Sequence, residues 1–367
     1  MKKLFFPAVP VLLIFILFAC YSIDLTTEPD SSRTGSGLFS RPRTNESASE
    51  EQQHMGTITI YTSMYGDVVD DIEIALAREF PNVKVEFSYG GTGTIQARIE
   101  QEISLKGKLG CDILMVADPS YSMELKERGY LHPFTSTHTG DLVFSYDPQG
   151  YWYPVRVSNM VLAYNPDRTL RSSVPSTFYN FANDQSLRGL ISMANPITSG
   201  TALASITALR EKYGYTYFEA LARQNINLDS SAVALEKLQA GEYRVIMVLE
   251  EAVLKLRAEE RSRLEVIYPE DGTIVIPSTI MIIDDNWSAN ANSAAAKMVA
   301  DWFLSEAGQR AIVAGWMHPV RSNSRVPYNS VPIGDILSNS MPVNWNVLYS
   351  EKDEIITRFE ENIVYRR

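Results

Sequence analysis

The chain has 367 residues, 45% of them hydrophobic, and carries 44 Asp and Glu against 33 Lys and Arg, a formal net charge of -11. That balance argues against nucleic-acid binding, which needs concentrated positive charge. Any anion the protein binds must be held by local N–H groups and a few arginines, against the overall field.

The first twenty residues, MKKLFFPAVPVLLIFILFAC, place Lys2 and Lys3 before an apolar run from Leu4 to Ala19 that Pro7 and Pro10 interrupt. The run is shorter than the ~20 residues a membrane-spanning helix needs, so residues 1–19 are expected to be an export signal. Leu17-Phe18-Ala19-Cys20 resembles a bacterial lipobox, in which Cys20 would become the lipidated first residue of the mature chain. Residues 20–55 are rich in Ser, Thr, Glu and Arg without apolar periodicity, and are expected to form a flexible tether. With Cys20 so assigned, Cys111 has no disulfide partner, and at the head of CDILMV it reads as a small buried hydrophobe.

From Gly56 on, about 310 residues remain, room for two domains. TITIY (57–61) alternates as a strand does, and Val68, Ile72, Leu76 and Phe80 then recur at helical spacing before Pro81. VKVEFSY (83–89) is a second strand, and Ile95, Ile99 and Ile103 mark a second helix. The continuous apolar run DILMV (112–116) suits a parallel strand covered on both faces, and a third helix follows through Met123 and Leu125. YWYPVRVSNMVLAYNPD (151–167) is a long extended segment, a possible crossover into a second domain. Beyond it come GLISM (189–193), a helix with Leu203, Ile206, Leu209 and Tyr213, the helix SSAVALEKLQAGEY, and strands RVIMVL (244–249) and RLEVIYPEDGT (263–273). STIMIID (278–284) is a candidate return strand, and SAAAKMVADWFLSEAGQRAIV one long helix. This β-α alternation is the pattern of doubly wound α/β domains, whose ligands lie at the carboxyl ends of the strands.

No catalytic or cofactor pattern is present. His54, His132, His138 and His318 show no metal spacing, and there is no nucleophile elbow, phosphate-binding P-loop or dinucleotide glycine fingerprint. The chain therefore makes no case for an enzyme. Two strand-to-helix turns point to binding instead: SYGGTGT (88–94), with Gly91, Thr92, Gly93 and Thr94, and ANPITSGTA (194–202), with Thr198, Ser199, Gly200 and Thr201. Each turn alone fits plain helix capping. One in each presumed domain suggests a shared anion site, because glycine admits close approach and helix N-termini offer N–H groups. Thr62 and Ser63 either contact a ligand or cap the next helix. Asp118 has the same two roles open to it. Arg156 either meets an anion or braces the hinge, and Trp152 and Tyr153 either form a stacking wall or pack. Of Glu250 and Glu251, one is expected to face the cleft and the other solvent. Tyr268 is expected to pack.

The order and spacing of TITIYTSM, SYGGTGTIQARIEQEI, CDILMVADPSYSMELKERGYLHPF, MVLAYNPD, ANPITSGTA, LQAGEYRVIMVLEEAV, VIYPEDGTIVIPSTIMII and AKMVADWFLSEAGQRAI, across about residues 57 to 325, resemble family 1 extracellular solute-binding proteins of ABC importers, in the branch of ferric-ion and hexose-phosphate receptors. The resemblance implies the type II periplasmic-binding-protein fold, two α/β domains with a ligand cleft between them. On that pattern residues 56–160 with 276–322 form domain 1, and 161–275 with 323–367 domain 2. It also implies an exported monomer, periplasmic or at the cell surface, anchored through Cys20 and delivering a small solute to an ABC permease. The iron receptors of that family carry adjacent tyrosines where this chain has Leu249, Glu250, Glu251 and Ala252, so a sugar phosphate is the expected ligand. A ferric-ion or phosphonate receptor is the alternative within the family, and a surface adhesin or sensor lipoprotein the alternative outside it.

Overall fold

The computed structural model describes residues 55–365; the expected signal, Cys20 and the tether as far as residue 54 lie outside them. Strand β1 (Thr57–Thr62) runs parallel to its neighbours β2 (Lys84–Tyr89) and β3 (Ile113–Val116). Helix α1 (Gly66–Glu79) buries Val68, Val69, Ile72 and Leu76, the face the spacing predicts. Phe80 is its C-cap rather than its last turn, since Pro81 follows. Helix α2 (Thr92–Lys106) ends at Gly107, which takes the left-handed conformation (φ 67°) that favours glycine there. Helix α3 (Pro119–Glu127) begins with proline at its first position, where no N–H is needed. The short β4 (Leu131–His132) completes this half.

Strand β5 (Trp152–Tyr164) is thirteen residues long and buried almost throughout. Next come α4 (Phe178–Asn183), β6 (Ile191–Met193), α5 (Gly200–Tyr213), α6 (Thr216–Arg223), β7 (Asn227–Leu228), α7 (Ser231–Ala240), β8 (Val245–Leu249), α8 (Glu250–Glu259) and β9 (Glu265–Ile267). The return strand β10 (Thr273–Ile283) is longer than expected and fully buried. The helix expected over 293–313 is two, α9 (Ser293–Leu304) and α10 (Glu306–Ala314). Ser305 takes an extended conformation between them, and its side chain accepts from the Gly308 N–H, capping α10. Helix α11 (Ile333–Ser338), strand β11 (Ser340–Met341) and helix α12 (Trp345–Phe359) follow, and a π-helical turn (Glu360–Val364) continues from α12.

The strands form one mixed sheet in the order β2-β1-β3-β10-β5-β8-β6-β7. Parallel groups lie at both ends, and the antiparallel β5–β10 pair joins them. Each half has its own core. One gathers Phe178, Phe181, Ile191, Phe218, Leu348, Ile355 and Phe359. The other half covers one sheet face with Ile58, Ile60, Ile72, Leu76 and Phe303, and the other face with Ile95, Ile99, Leu114 and Leu125. The expected domain limits at residues 160 and 276 fall inside β5 and β10, which run through both halves. The pairing register of β10 on β5 shifts between Ser278 and Thr279, opposite Arg156 and Pro154. Such a bulge bends the strand and re-aims a side chain.

Gln309 of α10 is wholly buried. Its Nε2 donates to the carbonyls of Val155 and Phe303, both at 2.8 Å, and its Oε1 accepts from Val320 N at 2.7 Å. Replacing Gln309 with leucine keeps the volume but strands these backbone groups. The expected loss is about 3 kcal/mol of unfolding free energy in urea titration.

Candidate functional site

A cavity of about 530 Å3 lies where the parallel strands of both halves end. Its wall takes Ser63 to Gly66 after β1, Tyr89 to Thr92 and Thr94 at the end of β2, and Ala117 after β3. From the other half come Ala194, Asn195 and Thr198 to Thr201 after β6, Leu228 to Ala232 around the end of β7, and Leu249 and Glu251 at the end of β8. Arg156 enters from β5. Sheet topology dictates this placement, since parallel strands direct their carboxyl ends, and the helices that follow, to the same side.

Five helices therefore begin at the wall: α1, α2, α5, α7 and α8. Ser199 caps α5 by accepting from Ala202 N at 3.2 Å, and Ser230 caps α7 by accepting from Val233 N at 3.4 Å. The N-caps of α1, α2 and α8 are Tyr65, Gly91 and Leu249, and no side chain caps these three helices. At α1 and α2 the first-turn N–H groups and the positive ends of the dipoles favour an anion, whereas α8 carries the buried carboxyls of Glu250 and Glu251 in its own first turn.

Arg156 is 3% exposed and adds the one guanidinium at the wall. Its Nη2 donates to the Ser63 Oγ (3.2 Å) and carbonyl (3.3 Å), and its Nη1 to the Ser158 Oγ (3.0 Å), with Glu251 Oε1 3.8 Å away. Ser158 in turn donates to Glu251 at 2.8 Å. Burial pulls the Arg156 pKa down and pushes the Glu251 carboxyl up, each opposed by the charge of the other. The pair thus brings a fixed positive and a fixed carboxyl group to the same wall. Burial, and then the Glu251 charge, push the Tyr65 phenol up, so it stays protonated as a hydrogen-bonding group.

The structure gathers ten of the expected residues in this wall: Ser63, Gly91, Thr92, Thr94, Arg156, Thr198, Ser199, Gly200, Thr201 and Glu251. Four stand off it. Thr62 is fully buried, with its hydroxyl accepting from Met64 N. Asp118 caps α3 and accepts from Gln96 Nε2 at 2.9 Å. Gly93 lies against the Ile197 carbonyl. Glu250 does not face solvent as expected: it is 0% exposed and bonded to Asn159, Tyr268 and His318. Successive helical residues diverge by about 100°, so α8 turns Glu251 to the cavity and Glu250 beneath it. Tyr153 is no stacking wall either; it is buried, and its hydroxyl donates to the Phe134 carbonyl.

The spacing of the sequence missed Tyr65, Tyr89, Asn195, Asp229, Ser230 and Ser231. Asp229 follows a two-residue strand too short to show alternation. Burial would raise its pKa, but bonds from Tyr243 (2.6 Å), Lys237 (3.1 Å) and Ser192 (3.1 Å) hold it below the ordinary carboxylate value. Among the described residues no group of three or more His, Cys, Asp or Glu is placed to hold a metal ion. A depressed carboxylate contributes stability that is present above its unfolded pKa and lost as pH falls through the folded one. Asp229→Asn is therefore expected to lower the thermal midpoint clearly at pH 7, and much less once the pH has fallen below the depressed pKa of the folded state.

The fold has known counterparts. AfuA of Actinobacillus pleuropneumoniae, a periplasmic binding protein described with fructose-6-phosphate bound, superposes with a TM-score of 0.73 at 20% identity, covering 84% of this chain and 99% of its own. Iron-bound HitA of Pseudomonas aeruginosa matches at 0.72 and 19% identity, over 83% and 99%. The ferric binding protein of Campylobacter jejuni matches at 0.69 and 17%, again over 83% and 99%. At these identities the likeness shows the fold: two α/β domains with a ligand cleft between them. No curated protein matches the chain by sequence. The family model for bacterial extracellular solute-binding proteins matches residues 111–347. The chain belongs to that family.

Proposed function

We propose that this solute-binding protein captures a small phosphorylated solute, a sugar phosphate, in the interdomain cleft and delivers it to an ABC permease. The observation that carries the proposal is the convergence on one cavity of the N-termini of α1 and α2, neither with a side-chain cap, beside Arg156. Backbone N–H groups of this kind suit a phosphate inside a protein of net charge -11. Glu251 is paired with Arg156 at 3.8 Å and offsets part of its charge, so the phosphate is taken to rest chiefly on the N-termini of α1 and α2, with the sugar hydroxyls toward Asp229 on the same wall. A volume of about 530 Å3 suits a ligand of that size. The fructose-6-phosphate named for AfuA supports the same class. An aminophosphonate zwitterion would use the same polarity, its ammonium toward Asp229. The same proposal takes the chain to be exported and held at the membrane by lipid on Cys20.

Thermal-shift measurement tests the ligand class with glucose 6-phosphate, fructose 6-phosphate, 2-aminoethylphosphonate, glucose, inorganic phosphate and ferric citrate. A sugar phosphate at a hundred times its Kd is expected to add about 2.7 kcal/mol of stability, with glucose and phosphate alone inert. Stabilisation by ferric citrate and by no phosphorylated compound would refute the proposal. Replacing Thr198 and Thr201 together with alanine is expected to weaken binding about tenfold by removing two hydroxyls, with the melting temperature little changed.

A further inference from the structure

Helix α2 meets the opposite half twice. Its first turn lies on the turn after β6. A Cβ on Gly91 would stand 2.4 Å from the Thr198 carbonyl oxygen, one on Gly93 2.2 Å from the Ile197 carbonyl oxygen, and one on Gly200 2.7 Å from the Thr92 Cβ. None of these three glycines has a positive φ, so their own backbone would accept alanine. At Gly93, inside the helix, alanine would even favour the helix. The absence of a side chain at this seam serves the approach of two backbones, and no ligand contact is needed to explain it.

One turn along α2, Gln96 is buried. Its Nε2 donates to Asp118 Oδ2 at 2.9 Å, and its Oε1 accepts from the Lys352 ammonium at 2.7 Å. Lys352 also lies 5.8 Å from the centroid of the Tyr121 ring. It belongs to α12, which packs Leu348, Ile355 and Phe359 into the core of the other half and pairs Glu351 with Arg210 of α5. On the same helix, the Tyr349 hydroxyl donates to Glu127 of α3. Helix α12 is thus rooted in one half and bonded to α2 and α3 of the other.

We propose that the glycine seam and the Lys352–Gln96–Asp118 relay are the contacts that hold the two halves closed, with Gly93 and Lys352 setting the ratio of closed to open protein. The proposal rests on the capture of a solute by closure, but not on which solute is captured. Because α2 also presents an uncapped N-terminus to the cavity, an anion bound there would sit on the helix that carries both contacts.

Spin labels on Glu79→Cys and Glu242→Cys, both exposed, report the separation of the halves by double electron–electron resonance. Cys20 is replaced by serine in these proteins, and the other native cysteine, Cys111, is fully buried. Distances are read with and without glucose 6-phosphate, in otherwise native protein and in the Gly93→Ala and Lys352→Met variants. Gly93→Ala is expected to shift the population to the longer distance, and Lys352→Met to raise the open-to-closed ratio about tenfold, the weight of one charged hydrogen bond. Circular dichroism should remain native in both. If neither variant changes the distance distribution in either condition, the proposal is wrong. Variants that open without ligand while glucose 6-phosphate binds none of the proteins would uphold the closure contacts and refute the ligand class instead.

Discussion

The antiparallel pairing of β5 with β10 is the constraint on which the site depends. Both strands run through both halves, so the parallel groups β1-β2-β3 and β6-β7-β8 are held to one continuous sheet. Their carboxyl ends then open on a common cavity, and five helices start there. The register shift at Ser278 and Thr279 falls opposite Arg156, at the middle of this pair. From there Arg156 reaches Ser63 after β1, Ser158 on its own strand and Glu251 of α8.

Electrostatics follows from the same geometry. A protein with a net charge of -11 repels anions at long range, and screening confines that repulsion to about 10 Å in salt. Within the cavity the nearest groups are helix N-termini and a buried guanidinium, which act in a medium of lower dielectric. Arg156 and Glu251 are both nearly inaccessible to water, at 3% exposure each, and neither is stable there without the other. Beneath them, Glu250, His318, Asn159 and Tyr268 form a second polar group that never reaches the cavity.

Much of this was legible in the residues themselves. The spacing of Val68, Ile72 and Leu76 identifies the buried face of α1, and DILMV a covered strand, because burial on one or two faces leaves a period in the sequence. The glycine and hydroxyl residues of GGTGT and ANPITSGTA mark the turns that form the wall. Other parts left no such trace. The strands β4, β7 and β11 have two residues each, too few for a period, so the turn bearing Asp229 passed unnoticed. The break at Ser305 is a single cap inside a run of helical spacing.

The sequence by itself determined the class of the fold, the order of its elements and the turns that carry the site, because periodicity, capping and chain punctuation are local properties. It also determined that any bound anion would depend on backbone N–H groups and few arginines. Only the tertiary structure decided which hydroxyls and carboxylates share the cavity. Thr62, Asp118 and Glu250 have the same chemistry as Ser63, Asp229 and Glu251, yet they are turned into caps and buried networks by the packing of α1, α3 and α8. It alone also decided that Gly93 faces the opposing backbone rather than a ligand, because that contact joins residues about a hundred positions apart in the chain.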